Sequence, residues 1–101
     1  GTRQAQTEAA FEGHLHEARE CIVAGRLEAA VAHARNAIAL QPDSPAVLNV
    51  LGVAMQLQMK TREACSYFRS ALALNDRYEP AQRNLDNLST MQKKLGSYDL
   101  G

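Results

Sequence analysis

The sequence predicts an all-α protein built from tandem antiparallel helix-turn-helix units, and three observations carry that prediction. Apolar residues return at i, i+3, i+4 spacing through two consecutive stretches. Val47, Leu48, Leu51, Ala54 and Met55 mark the first, and Ala64, Cys65, Phe68, Ala71 and Leu72 the second. The same residues recur one unit earlier at a period of about 34 residues, a repeat length typical of stacked helical units. Ala64 falls on Ala30, Arg69 on Arg35, Ala71 on Ala37, Leu72 on Ile38, Ala73 on Ala39, Leu74 on Leu40 and Gly52 on the small Ala18. Short polar, Pro- or Gly-bearing breaks separate the periodic stretches, so neighbouring helices must turn back on one another.

Taken in order, residues 1–10 are polar and Ala-rich and read as a lead-in or an extension of the first helix. From Phe11 to Ala24 a stripe of Phe11, Leu15, Ala18 and Ile22 faces inward, and Gly25 supplies the left-handed turn that ends such a helix. Leu27 to Leu40 is the second helix, with Leu27, Ala30, Val31, Ala34, Ala37 and Ile38 inward. Gln41-Pro42-Asp43-Ser44-Pro45 is the strongest break: Pro42 cannot continue a helix, while Ser44 and Pro45 read as an N-cap and a first helical residue. Pro45 to Met59 and Ala64 to Leu74 form the next pair around the break at Lys60, Thr61 and Arg62. Gly52 in mid-helix costs about 1 kcal/mol relative to Ala, which marks a place with no room for a side chain. After Asn75-Asp76-Arg77, Pro80 opens a fifth helix with Ala81, Leu85, Leu88 and Met91 inward. Its outer face, with Gln82, Asp86, Gln92, Lys93 and Lys94, is polar, as the last helix of an open stack requires. Leu95-Gly96-Ser97 ends it. The organisation is therefore 1–10 lead-in, 11–44 first repeat, 45–78 second repeat, 79–96 capping helix and 97–101 mobile tail.

The pattern resembles the tetratricopeptide (TPR) repeat. Leu48, Leu51-Gly52, Met55 and Ala64 followed by Phe68 occupy the motif's positions in order, and Pro42 fills the closing position of the repeat before. Asp76 departs from that closing Pro, and His14, Glu17 and Cys21 stand where large apolar residues are usual. The resemblance covers most of the chain and implies two repeats plus a capping helix in a short right-handed superhelical stack, a TPR-like solenoid. It further implies that the first helix of each repeat lines a concave groove for a peptide or a partner's helix. Carried over by position, that groove consists of Leu15, His16, Arg19 and Val23, then Asn49, Val50, Val53, Gln56 and Leu57, then Arg83, Asn84 and Asn87. Asn side chains donate and accept at once, as an extended peptide backbone requires. Arg19 and Arg83 suit a carboxylate, and Val50, Val53 and Leu57 form an apolar floor. The clamp that holds chaperone tails is not matched, because Leu15, Val50 and Pro80 replace its polar residues.

Composition narrows the function. Eleven basic and eleven acidic side chains balance, so no overall field draws nucleic acid or anionic membrane. No apolar run approaches the length of about 20 residues that spans a bilayer. Two widely spaced cysteines make no disulfide framework; each falls on an apolar face and reads as a small buried thiol in a reducing, cytoplasmic setting. His14 and His16 point to different sides of their helix and His33 lies on the next, so no metal site is expected. No catalytic triad, phosphate-cradling loop or other cofactor motif is present, and Asn87-Leu88-Ser89 lies inside a predicted helix, poorly placed for glycosylation. Met55, Met59 and Met91 read as core filling.

The expected function is a non-catalytic protein-protein interaction module, a segment of a larger polypeptide since the chain opens on Gly1 without an initiator Met. Its expected partner is a protein or peptide with an acidic or C-terminal carboxylate feature. The alternatives are an accessory region of an enzyme such as a glycosyltransferase, and a homo-oligomerisation scaffold. The latter follows from Phe11 and Leu15, which an open first helix would leave partly exposed.

Overall fold

The computed structural model describes residues 2–89 and 97–101. Within them the chain forms five helices and no strand: α1 (Thr2–Val23), α2 (Leu27–Leu40), α3 (Pro45–Leu57), α4 (Thr61–Leu74) and α5 (Glu79–Ser89). The inward placement expected of Met91, the polar face at Gln92, Lys93 and Lys94, and the helix end at Leu95-Gly96 lie outside the described residues. No described helix is long and apolar enough to cross a membrane.

Residues 2–10 resolve in favour of helix extension, since α1 runs unbroken from Thr2. Ala, Gln and Glu lose little on entering a helix, and Gln4 Nε2 donates to Glu8 Oε1 at 3.2 Å one turn on. At the other end Gly25, with φ +78°, closes α1. The N–H of Arg26 donates to the carbonyl of Cys21 at 2.8 Å and that of Gly25 to Ile22 at 3.0 Å, which satisfies the last carbonyls of the helix. One repeat later the same pair of bonds closes α3: Lys60 N–H to Met55 O at 2.9 Å and Met59 N–H to Gln56 O at 3.0 Å. Here the left-handed position is Met59, at φ 65°, so α3 stops at Leu57 rather than reaching Met59. At the start of α3, Ser44 Oγ accepts the N–H of Val47 at 3.2 Å and Pro45 takes the first turn, as the sequence predicts.

The helices pack as pairs, α1 with α2 and α3 with α4, and α2 also meets α3 while α4 meets α5. Small side chains permit this closeness. Ala18, Ala30, Ala34, Ala37, Ala64 and Ala71 are wholly buried. At Gly52 a Cβ would lie 2.3 Å from Cε1 of Phe68, whose ring is itself completely enclosed. The glycine is therefore the slot that receives the α4 aromatic. Phe11 and Leu15 differ from expectation: they are 5% and 4% exposed and belong to the continuous core. The contacts of α1 with both α2 and α3 bury them, so they offer no open patch for a second copy.

Among the described residues α1 touches α3 and α3 touches α5, whereas α2 and α4 do not meet. The odd-numbered helices thus form the tighter of two layers, and the sheet of helices bends towards them.

Candidate functional site

The odd-numbered helices present one shared face, and each contributes polar side chains by helical spacing. Asn49 and Gln56 stand two turns apart on α3 and project the same way. Arg19 comes from α1, and Arg83 and Asn84 from α5. Across this face lies the segment Ser97–Gly101, which by sequence alone is expected to be a mobile tail. It runs antiparallel to α3, from Gln56 towards Asn49.

Its backbone is gripped at Ser97, Asp99 and Leu100. Gln56 Nε2 donates to the carbonyl of Ser97 at 2.8 Å, and Arg19 Nε donates to the carbonyl of Leu100 at 3.0 Å. Between them Asn84 accepts the Asp99 N–H on Oδ1 and donates from Nδ2 to the Asp99 carbonyl, both at 2.8 Å. Asn49 Nδ2 donates to the same carbonyl at 2.8 Å, and Asn49 Oδ1 accepts a second bond from Asn84 Nδ2 at 2.8 Å. Both asparagines are 0% exposed. A buried amide without partners costs about 1–3 kcal/mol, so these bonds to main chain are what make burial tolerable. Gln56 differs: its Oε1 is buried and, among the described residues, meets no donor.

Side chains of the segment are held as well. Asp99 Oδ2 accepts from Arg83 Nη1 at 2.8 Å, and Arg83 Nη2 reaches Glu79 Oε2 at 2.9 Å. Asp99 Oδ1 accepts the N–H of Gly101 at 2.9 Å. That backbone bond and then the Arg83 guanidinium hold the Asp99 carboxyl below its ordinary value of 3.8, against a smaller opposing effect of burial. The Arg83 guanidinium is shifted up in return, chiefly by its bond to Asp99. Tyr98 and Leu100 pack against the core cluster that includes Val50 and Val53. Gly101 ends against Tyr78 and Arg19 with φ +93°; a Cβ there would lie 2.5 Å from Tyr78 Oη and 3.1 Å from Arg19 Nη2. The Tyr78 hydroxyl, bonded to Arg19, is shifted up because burial outweighs that neighbouring charge.

Of the residues expected to line the groove, Arg19, Asn49, Gln56, Arg83 and Asn84 converge on this segment. Val50 and Val53 are fully buried and Leu15 is a core residue of α1; Leu57 is half-buried against the core and Asn87 half-buried on α5. His16 and Val23 are exposed, His16 lying 3.8 Å from Glu20. Tyr78 was not anticipated, because it precedes α5 and has no place in the helical periodicity. Elsewhere, His14 and His33 meet Nδ1 to Nδ1 at 3.1 Å across α1 and α2, a contact that needs one ring to donate and the other to accept. No group of three or more His, Cys, Asp or Glu among the described residues is placed to hold a metal ion. Cys21 is buried, Cys65 half-buried, and both are free thiols.

Compared with protein-family models, curated proteins and solved structures, the chain matches none.

Proposed function

We propose that this chain is a TPR-like protein-interaction module without catalytic activity. Its odd-numbered helices form the concave groove of a short right-handed superhelical stack, and that groove binds an extended, acidic peptide segment. The observation that carries the reading is the grip on Asp99: Asn84 meets both its N–H and its carbonyl, Asn49 adds a second donor, and Arg83 takes its carboxylate. Recognition of main chain by paired amides selects an extended strand-like ligand over a helix, because a helix has already spent those groups internally. Two free cysteines fit a cytoplasmic setting, where thiols stay reduced.

Arg83 is the residue to change, because it is exposed and supports no part of the core. The Arg83→Glu chain should keep the helical circular dichroism of the parent yet lose at least about tenfold of the parent's preference for an extended peptide containing Asp over the same peptide with Asn in its place, the scale of one charge-assisted hydrogen bond of about 1.5–3 kcal/mol. An unchanged preference overturns the groove reading.

A further inference from the structure

Resting on that reading, we infer that the groove recognises the sequence Asp-Leu-Gly preceded by an aromatic residue, and that Ser97–Gly101 is a built-in competitor carrying this same code. Each position has its own physical reader. The aromatic Tyr98 and the aliphatic Leu100 pack against the hydrophobic core. The carboxylate of Asp99 meets Arg83 at 2.8 Å, and its main chain fills the amides of Asn84 and Asn49. The final glycine is required twice over. Its φ of +93° is a conformation that side chains disfavour, and the Tyr78 hydroxyl stands where a Cβ would go. An external ligand of the same code therefore occupies the same atoms and must displace the resident segment.

The covalent path permits the resident segment to dock within its own chain. Ser89, the last described residue of α5, lies about one and a half turns beyond Arg83 and Asn84, and the eight Cα–Cα steps from it to Ser97 can span up to about 27 Å. A short connection of this kind gives an effective concentration of about 1 mM. Against it, a resident segment with an intrinsic Kd of about 100 µM weakens an external peptide by about tenfold, since only the fraction of grooves left open can bind.

The test is a fluorescence-anisotropy titration of labelled Ser-Tyr-Asp-Leu-Gly, blocked at both ends, into the parent chain and into Asp99→Lys. In the variant the lysine is repelled by Arg83 and the resident segment leaves, so the peptide should bind about tenfold more tightly than to the parent. Gly101→Ala in the chain should give a gain in the same direction by an independent route. A peptide ending in Leu-Ala should lose at least about tenfold on Asp99→Lys. Equal affinity of parent and both variants overturns the resident competitor while leaving the peptide groove intact. Saturable binding by none of the proteins overturns the groove reading itself, and equal binding of the Leu-Ala peptide overturns the glycine requirement. A dimer in light scattering of the parent that dissociates on Asp99→Lys overturns docking within one chain, because the segment is then exchanged between copies.

Discussion

Gly52→Ala is the most direct test of how the helix pair α3–α4 is built. A Cβ at position 52 would stand 2.3, 2.6 and 2.9 Å from Cε1, Cδ1 and Cζ of Phe68. Carbon atoms in favourable contact lie about 3.5–4.0 Å apart, so the ring would have to retreat by more than an ångström. It has nowhere to go, since Phe68 is fully buried within the continuous core. Overpacking costs about 1–3 kcal/mol, and contacts this short belong in the upper part of that range, about 2–3 kcal/mol. The intrinsic helical advantage of Ala over Gly, about 0.8–1.0 kcal/mol, offsets part of that, leaving a loss of about 1–2 kcal/mol. For a domain of this size such a loss lowers Tm by roughly 4–16 °C. Urea unfolding followed at 222 nm should show a lower midpoint with an unchanged m-value. Combining Gly52→Ala with Phe68→Leu should cost less than the two single changes added together, because the smaller side chain relieves the clash. A Gly52→Ala protein as stable as the parent, or more so, refutes the reasoning that the glycine exists to admit the ring.

The remaining predictions concern the turns, the cap and the seated segment. Met59→Gly should raise stability by about 0.5–1 kcal/mol in the same urea assay, because it relieves a left-handed side chain of about 1–2 kcal/mol at the cost of a more mobile unfolded chain. Ser44→Ala should lower stability by about 1 kcal/mol, since the N–H of Val47 loses its acceptor. Lowering the pH should release Ser97–Gly101: a carboxyl whose pKa is depressed on seating favours the seat fully above its ordinary value of 3.8 and loses that preference as pH falls through the depressed one. The side-chain amide resonances of Asn49 and Asn84 should report this, and a seat that tightens on acidification would refute it.

Much of the fold was legible because it is written in local terms. Gly25, Ser44 and Pro45 act within one turn of chain, and the small residues at positions 18, 30, 52 and 64 state directly where helices approach. The extension of α1 to Thr2 was left open, since an Ala- and Gln-rich stretch has helical propensity but no apolar stripe to declare it. The polar residues Arg19, Asn49, Gln56, Arg83 and Asn84 could be placed on a common face by spacing alone. Val50 and Val53 share that face yet lie fully buried, and Leu15 belongs to the core, because apolar side chains between adjacent helices sink into the seam. The segment they surround had no signal. Ser-Tyr-Asp-Leu-Gly has no periodicity, and a ligand held mostly by its main chain leaves little trace in side-chain pattern. Tyr78 was invisible for a related reason: it acts at a bend, against a residue far along the chain.

The seated segment touches Arg19 on α1 and Arg83 and Asn84 on α5, two helices that among the described residues make no contact of their own. It therefore ties the two ends of the stack together through hydrogen bonds. Without it the two ends would be joined only through the helices between them.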